Sequence, residues 1–138
     1  LKSFFDTSSL VKKYIDESGS DTVTELFQNS DEVVLSPITR IEFQSALQRL
    51  VNSNILTQES YEIALAEFTQ DSVEYEFIKF DLTLEELVLA VIKKYGLRSL
   101  DGIQLASAKM SNADQFVTSD TKLFEAAEKE LTKKNIFV

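Results

Sequence analysis

Four acidic residues stand at places in this sequence where a carboxylate needs explaining. Asp6 follows Phe4-Phe5 and precedes Thr7-Ser8-Ser9, so an apolar run ends on an acid and hydroxyls take over. Asp120 repeats that pattern after Phe116-Val117-Thr118-Ser119. Glu42 lies between Ile41 and Phe43, and Asp101 interrupts the mostly apolar stretch of Leu100, Ile103, Leu105 and Ala106. Each acid alone has a structural explanation. Aspartate is a good helix N-cap, and an acid in a first turn is favoured by the helix dipole. The chemical explanation is collective. Two strand-end aspartates of one parallel sheet point into the same crevice if their strands are neighbours. Close carboxylates repel unless one takes a proton or a cation lies between them. Mg²⁺ or Mn²⁺ is the natural cation for an all-oxygen site.

Composition narrows the chemistry further. The 138 residues contain no His and no Cys. Histidine-based triads, imidazole general bases, thiolate zinc sites and disulfides are therefore excluded. Catalysis must use carboxylates, hydroxyls, Lys, Tyr or a metal held by oxygen. The net charge of −9 argues against a simple nucleic-acid scaffold, which is more often basic. It is compatible with a nuclease whose acids are neutralised by divalent cations, or with a basic protein partner. Hydrophobic and charged fractions of 43% and 27% are those of an ordinary folded protein rather than a disordered one. The length fits one domain spanning residues 1–138. The longest uncharged apolar run, Leu87 to Ile92, is far short of a membrane span. No stretch near the N-terminus has signal-peptide character, so a cytoplasmic protein is expected.

The elements that must position these acids follow from periodicity. Five segments read as strands: the one ending on Asp6, Glu32–Ser36 stopped by Pro37, Val73–Phe80, Gln115–Thr118, and Ile136–Val138. Val73–Phe80 alternates at its start, as a half-exposed edge strand does. Helical patterns fill the intervals. One follows Asp6 as far as Ile15, and one is capped by Asp21. Others run from Ile38 to Val51 and onward from Thr57. A capping box at Thr83-Leu84-Glu85-Glu86 opens a helix that ends at Gly96. The last two run from Ser99 to Met110 and from Ser119 or Asp120 to about Leu131. Strands alternating with helices imply an α/β protein with a parallel sheet and helices on both faces. The two-helix stretch between Ile38 and Asp71 departs from that alternation, as a helical hairpin or an arm. In such a fold, the strand ends and helix starts that carry the four acids share one side of the sheet. Two of the three arginines, Arg40 and Arg98, lie within three residues of one of these acids. They are the candidate phosphate contacts, with plain surface charge as the alternative. Aromatic residues such as Tyr14, Phe27 and Phe43 fit core packing better than base stacking.

Phe5-Asp6-Thr7-Ser8-Ser9-Leu10, Ile41-Glu42-Phe43, Leu100-Asp101-Gly102-Ile103-Gln104-Leu105-Ala106 and Val117-Thr118-Ser119-Asp120 occur in that order along the chain. Together they resemble the PIN-domain family, in particular the small ribonuclease toxins of the VapC type. The resemblance implies a three-layer α/β/α domain with a central parallel sheet of about five strands. It implies that Asp6, Glu42, Asp101 and Asp120 are the catalytic acids that hold one or two Mg²⁺ or Mn²⁺ ions. Thr118 is then a helper beside the fourth acid, with Ser8 beside the first. The implied activity is hydrolysis of RNA phosphodiester bonds by the toxin of a type II toxin–antitoxin pair. A cognate antitoxin and a homodimer are the implied protein partners. The alternative reading is a catalytically silent PIN-like module that binds RNA or protein.

Overall fold

The computed structural model describes residues 1–138. Five strands, β1 (Lys2–Phe5), β2 (Glu32–Leu35), β3 (Glu76–Phe77), β4 (Gln115–Thr118) and β5 (Lys134–Phe137), form one sheet in the order β3-β2-β1-β4-β5. Every pairing is parallel. Seven helices connect them: α1 (Thr7–Tyr14), α2 (Ser20–Gln28), α3 (Thr39–Asn52), α4 (Gln58–Asp71), α5 (Leu82–Tyr95), α6 (Ser99–Met110) and α7 (Thr121–Glu130). None is long and apolar enough to cross a membrane.

The three central strands, β2, β1 and β4, are largely buried on both faces, and their successive side chains go to opposite cores. Phe4, Val34 and Phe116 join the core built from α5, α6 and α7. Phe5, Val33, Leu35 and Val117 join the core built from α1 to α4. The expected three-layer α/β/α architecture with five parallel strands is therefore present. Phe4 and Phe5 are both fully buried, each contributing about 2–3 kcal/mol of hydrophobic stabilisation. They anchor the central strand from above and below.

Strand order reverses beside β1. The chain builds outward from β1 through β2 to β3, then returns to lay β4 on the other side of β1. The C-terminal ends of β1 and β4 thus flank the switch point, where open α/β sheets place their binding crevice.

Several local expectations change. The segment Val73–Phe80 contributes only Glu76–Phe77 to the sheet, paired with Val34 and Leu35. The amides of Val73, Glu74 and Tyr75 are taken by a turn that closes α4, bonding to Gln70, Asp71 and Ser72 carbonyls. Backbone groups spent there cannot join a ladder. The helix α5 is capped by Asp81, whose Oδ1 accepts from the Leu84 amide at 2.9 Å, and Thr83 lies inside the helix. Asp21 is likewise inside α2, whose N-cap is Gly19 at φ 93°. The helices α3 and α4 do not form an arm. Phe43, Leu47, Ala64 and Phe68 bury them against the sheet.

Candidate active site

The Asp6 carboxylate is built into the backbone around it. β1 ends at Phe5, and Asp6 caps α1, with its Oδ1 accepting from the Ser9 amide at 3.0 Å. Ser8 Oγ donates to both carboxylate oxygens at 2.9 and 2.8 Å, and Thr118 Oγ1 donates to Oδ2 at 2.7 Å. The residue is 3% exposed and has no Lys or Arg partner. Burial raises its pKa to about 6, although the hydroxyl and amide donors pull the other way. Cap and candidate ligand are thus one residue. Thr7 and Ser8, which could otherwise cap α1, bond instead to Glu42 and to the Asp6 carboxylate.

Asp120 reproduces the arrangement on the neighbouring strand. It caps α7 through the Leu123 amide at 2.9 Å, and its own amide donates to Thr118 Oγ1 at 3.0 Å. Thr118 is fully buried and bonded to both strand-end aspartates. Ser8 Oγ also accepts from the Ser119 amide at 2.9 Å. The two hydroxyls nominated from sequence therefore stitch the end of β1 to the end of β4.

Glu42 enters from the first turn of α3. Its Oε1 accepts from Thr7 Oγ1 at 2.9 Å and from Gln104 Nε2 at 2.7 Å. Gln104 Nε2 also donates to Thr7 Oγ1 at 3.0 Å, so α1, α3 and α6 are tied together at one carboxylate oxygen. Gln104 is 3% exposed and its own Oε1 has no partner. The amide cannot turn round to satisfy that oxygen without setting it against Glu42. Asp101 enters from the first turn of α6. Burial and the nearby Asp120 charge raise its pKa, while Arg98 and Lys122 oppose the shift.

All four acids line one cavity of about 210 Å³, together with Thr7, Ser8, Arg49 and Gln104. Asp6 and Glu42 come from the α1–α4 side of the sheet, and Asp101 and Asp120 come from the α5–α7 side. Arg49 is the one cation in that lining, so the charge is heavily negative. The donor set consists of carboxylates and hydroxyls, which suits a hard divalent cation. As arranged, no three acids stand close enough to form a ready-made ion cage. Asp101, Glu42 Oε2 and Asp120 Oδ2 accept no hydrogen bond, so these groups remain free to turn toward an ion.

The structure does not bring Arg40 to this cavity. Its guanidinium lies 4.2 Å from the Phe77 ring centroid and donates to Ser72 Oγ. Arg98 lies beside Asp101 at 3.9 Å. Sequence reasoning passed over Thr7, Gln104 and Arg49. A signal existed for two of them: Gln104 is the polar residue in Ile103-Gln104-Leu105-Ala106, one turn after Asp101, and Arg49 lies two turns after Glu42 on α3. A different cavity, of about 360 Å³, includes Lys13, Phe27, Ser30, Asp31 and Tyr75, near the start of β2. It holds none of the four acids. The Lys13 ammonium there is already bonded to Asp71 and Tyr75.

A PIN domain family profile matches residues 3–129. No curated protein matches the chain at a significant level. Among solved structures, FitAcB from Neisseria gonorrhoeae is similar, at 20% identity and a TM-score of 0.68, covering 99% of this chain and 96% of that one. VapC20 from Mycobacterium tuberculosis, described as a sarcin-ricin loop cleaving toxin, is similar at 16% identity and a TM-score of 0.70, covering 90% and 94%. A toxin–antitoxin complex from Klebsiella pneumoniae contains a chain similar at 20% identity and a TM-score of 0.64, covering 88% and 89%. At these identities the likeness is one of fold.

Proposed function

The chain belongs to the PIN domain family, and from that premise we propose that it is a divalent-metal-dependent endoribonuclease, the toxin of a toxin–antitoxin pair. PIN domains are generally nucleases. The observation that carries the reading is the meeting of four carboxylates from both helical layers in one cavity at the switch point of the sheet. In this reading Asp6, Asp101 and Asp120 would hold Mg²⁺ or Mn²⁺, and Glu42 would either share in holding it or orient the attacking water. A cation held there would supply neutralisation of the phosphodiester charge, a more acidic bound water and stabilisation of the leaving oxygen.

The chain's own residues supply position. Ser8, Ser9 and Thr118 hold the Asp6 carboxylate in one rotamer, so little side-chain entropy remains to be lost on binding. Thr7 and Gln104 fix one oxygen of Glu42 and leave the other to accept a proton from water. Water adds to phosphorus, the bond from phosphorus to the leaving ribose oxygen breaks, and that oxygen takes up a proton. An antitoxin partner, a homodimer and a cytoplasmic site of action belong to this reading. It is supported by the fold shared with chains such as the one in the Klebsiella complex.

The test is cleavage of RNA by the purified chain with Mg²⁺, with Mn²⁺ and with a chelator. Metal-dependent cleavage by the wild type, lost in Asp6→Asn and Asp101→Asn variants that still fold, is expected. Undiminished cleavage by either variant would sink the assignment.

A further inference from the structure

Next to the acidic cavity lies a second one of about 560 Å³. The two share Glu42, Arg49 and Asp101, and Arg98, Ser99 and Leu100 complete the second lining. Arg49 reaches it from α3, with its Nη1 bonded to Ser45 Oγ at 2.8 Å and no carboxylate within ion-pair distance. Arg98 reaches it from the residue before α6. Its side chain is 90% exposed and its nearest acid, Asp101, is 3.9 Å away. The chain has only three arginines against a net charge of −9. Arg40 is spent on Phe77 and Ser72, and the remaining two face one cavity that opens onto the four acids.

Resting on the nuclease reading above, we propose that this second cavity is a phosphodiester subsite for single-stranded RNA. Arg49 and Arg98 hold the non-bridging oxygens of a phosphate next to the one being hydrolysed. The guanidinium fork is the side chain best matched to phosphate geometry. Leu100, 49% exposed in the same lining, offers apolar surface to a sugar or an unstacked base. A polymer with one phosphate per unit places one phosphate at the acids and the next at the arginines. An acidic peptide would bring further carboxylates to the acidic cavity and no phosphorus centre for it to act on, which favours RNA over a protein occupant.

The experiment measures kcat, KM and their salt dependence on a fluorescein-labelled single-stranded RNA of randomised sequence. The chains compared are the wild type, R49Q, R98Q, the double variant and R40Q. The subsite predicts that KM rises about 10-fold in the double variant, that kcat stays nearly unchanged in R98Q, whose side chain lines only the second cavity, and that the salt slope falls by about 0.7 for each arginine lost. R49K and R98K should restore the slope but only part of the KM, because they keep charge without the fork. R40Q should behave as wild type. Unchanged KM and slope in the double variant would overturn the subsite while leaving the nuclease reading intact. So would competition by polyglutamate in the wild type with RNA KM insensitive to both arginines. A wild type that cleaves no RNA with either metal would overturn the nuclease reading, and the subsite with it.

Discussion

At the scale of single residues, the site is kept at a cost to stability. Asp6 is a buried acid with no cation beside it, and its folded pKa of about 6 exceeds the ordinary 3.8. The sign follows directly. The folded state binds this proton more tightly than the unfolded state, so stability falls as pH rises from about 4 through 6. Removing the charge should therefore stabilise the metal-free protein at neutral pH. Asp6→Asn is expected to raise the melting temperature at pH 7, by a free energy on the order of 2 kcal/mol, and to lose that advantage near pH 4. Thermal unfolding at the two pH values checks this, and an equal gap at both would refute it. Gln104 offers a second case. Replacing it with Leu deletes the donor to Glu42 and the orphan oxygen together, so stability should change by less than about 1 kcal/mol. RNA cleavage should fall by about 10-fold or more, with Glu42 held by Thr7 alone. Thermal melts and initial rates on one preparation separate the two effects.

At the scale of elements, the placement of Asp101 depends on how closely α5 and α6 pack. An added Cβ at Gly102 would stand 2.6 Å from Ile92 Cγ1 and 3.0 Å from its Cδ1. Gly102→Ala gains about 1 kcal/mol of helix propensity, but the overlap pushes α6 off α5 and costs about 1–3 kcal/mol. A net loss of stability and activity is expected, with Ile92→Ala in the same chain recovering both. Chemical denaturation of the single and double variants decides this. The pairing of Gly102 with Ile92 was not legible from sequence, because no pattern reports which helices touch. Regular elements were legible where local chemistry was unambiguous. Gln115–Thr118 matches its strand residue for residue, Thr57 caps α4, and Gly96 ends α5 in the left-handed region. Legibility failed where two groups competed for one role. Asp81 outcompeted Thr83 as a cap, and a turn took the backbone that alternation had assigned to β3. The four acids were readable because each breaks an apolar context, and Arg49 could have been found from its two-turn spacing to Glu42 on α3. Thr7 was not readable, since a hydroxyl after a cap is ordinary.

At the scale of the whole molecule, the proposed function makes a divalent cation a stabilising partner for a chain of net charge −9. A ligand that binds only the folded chain stabilises it by about 2.7 kcal/mol at 100 times its dissociation constant. Saturating Mn²⁺ should raise the melting temperature of the wild type well beyond the rise given by the same ionic strength of NaCl. Asp101→Asn should blunt that difference. Scanning calorimetry with and without chelator measures it.

The sheet order also means that the polypeptide is divided into two halves by the short stretch after β3. The first half carries β1, β2, β3, Asp6, Glu42 and nearly all of one core. The second carries β4, β5, Asp101, Asp120 and nearly all of the other. Cutting the chain there yields two fragments, each with two of the four acids and each with a bare sheet edge where β1 meets β4. Neither fragment holds all four acids, so on the proposed nuclease reading any cleavage by the mixture would count reassembled molecules. The acidic crevice is thus a logical conjunction written into the topology, complete only when both halves are present and docked.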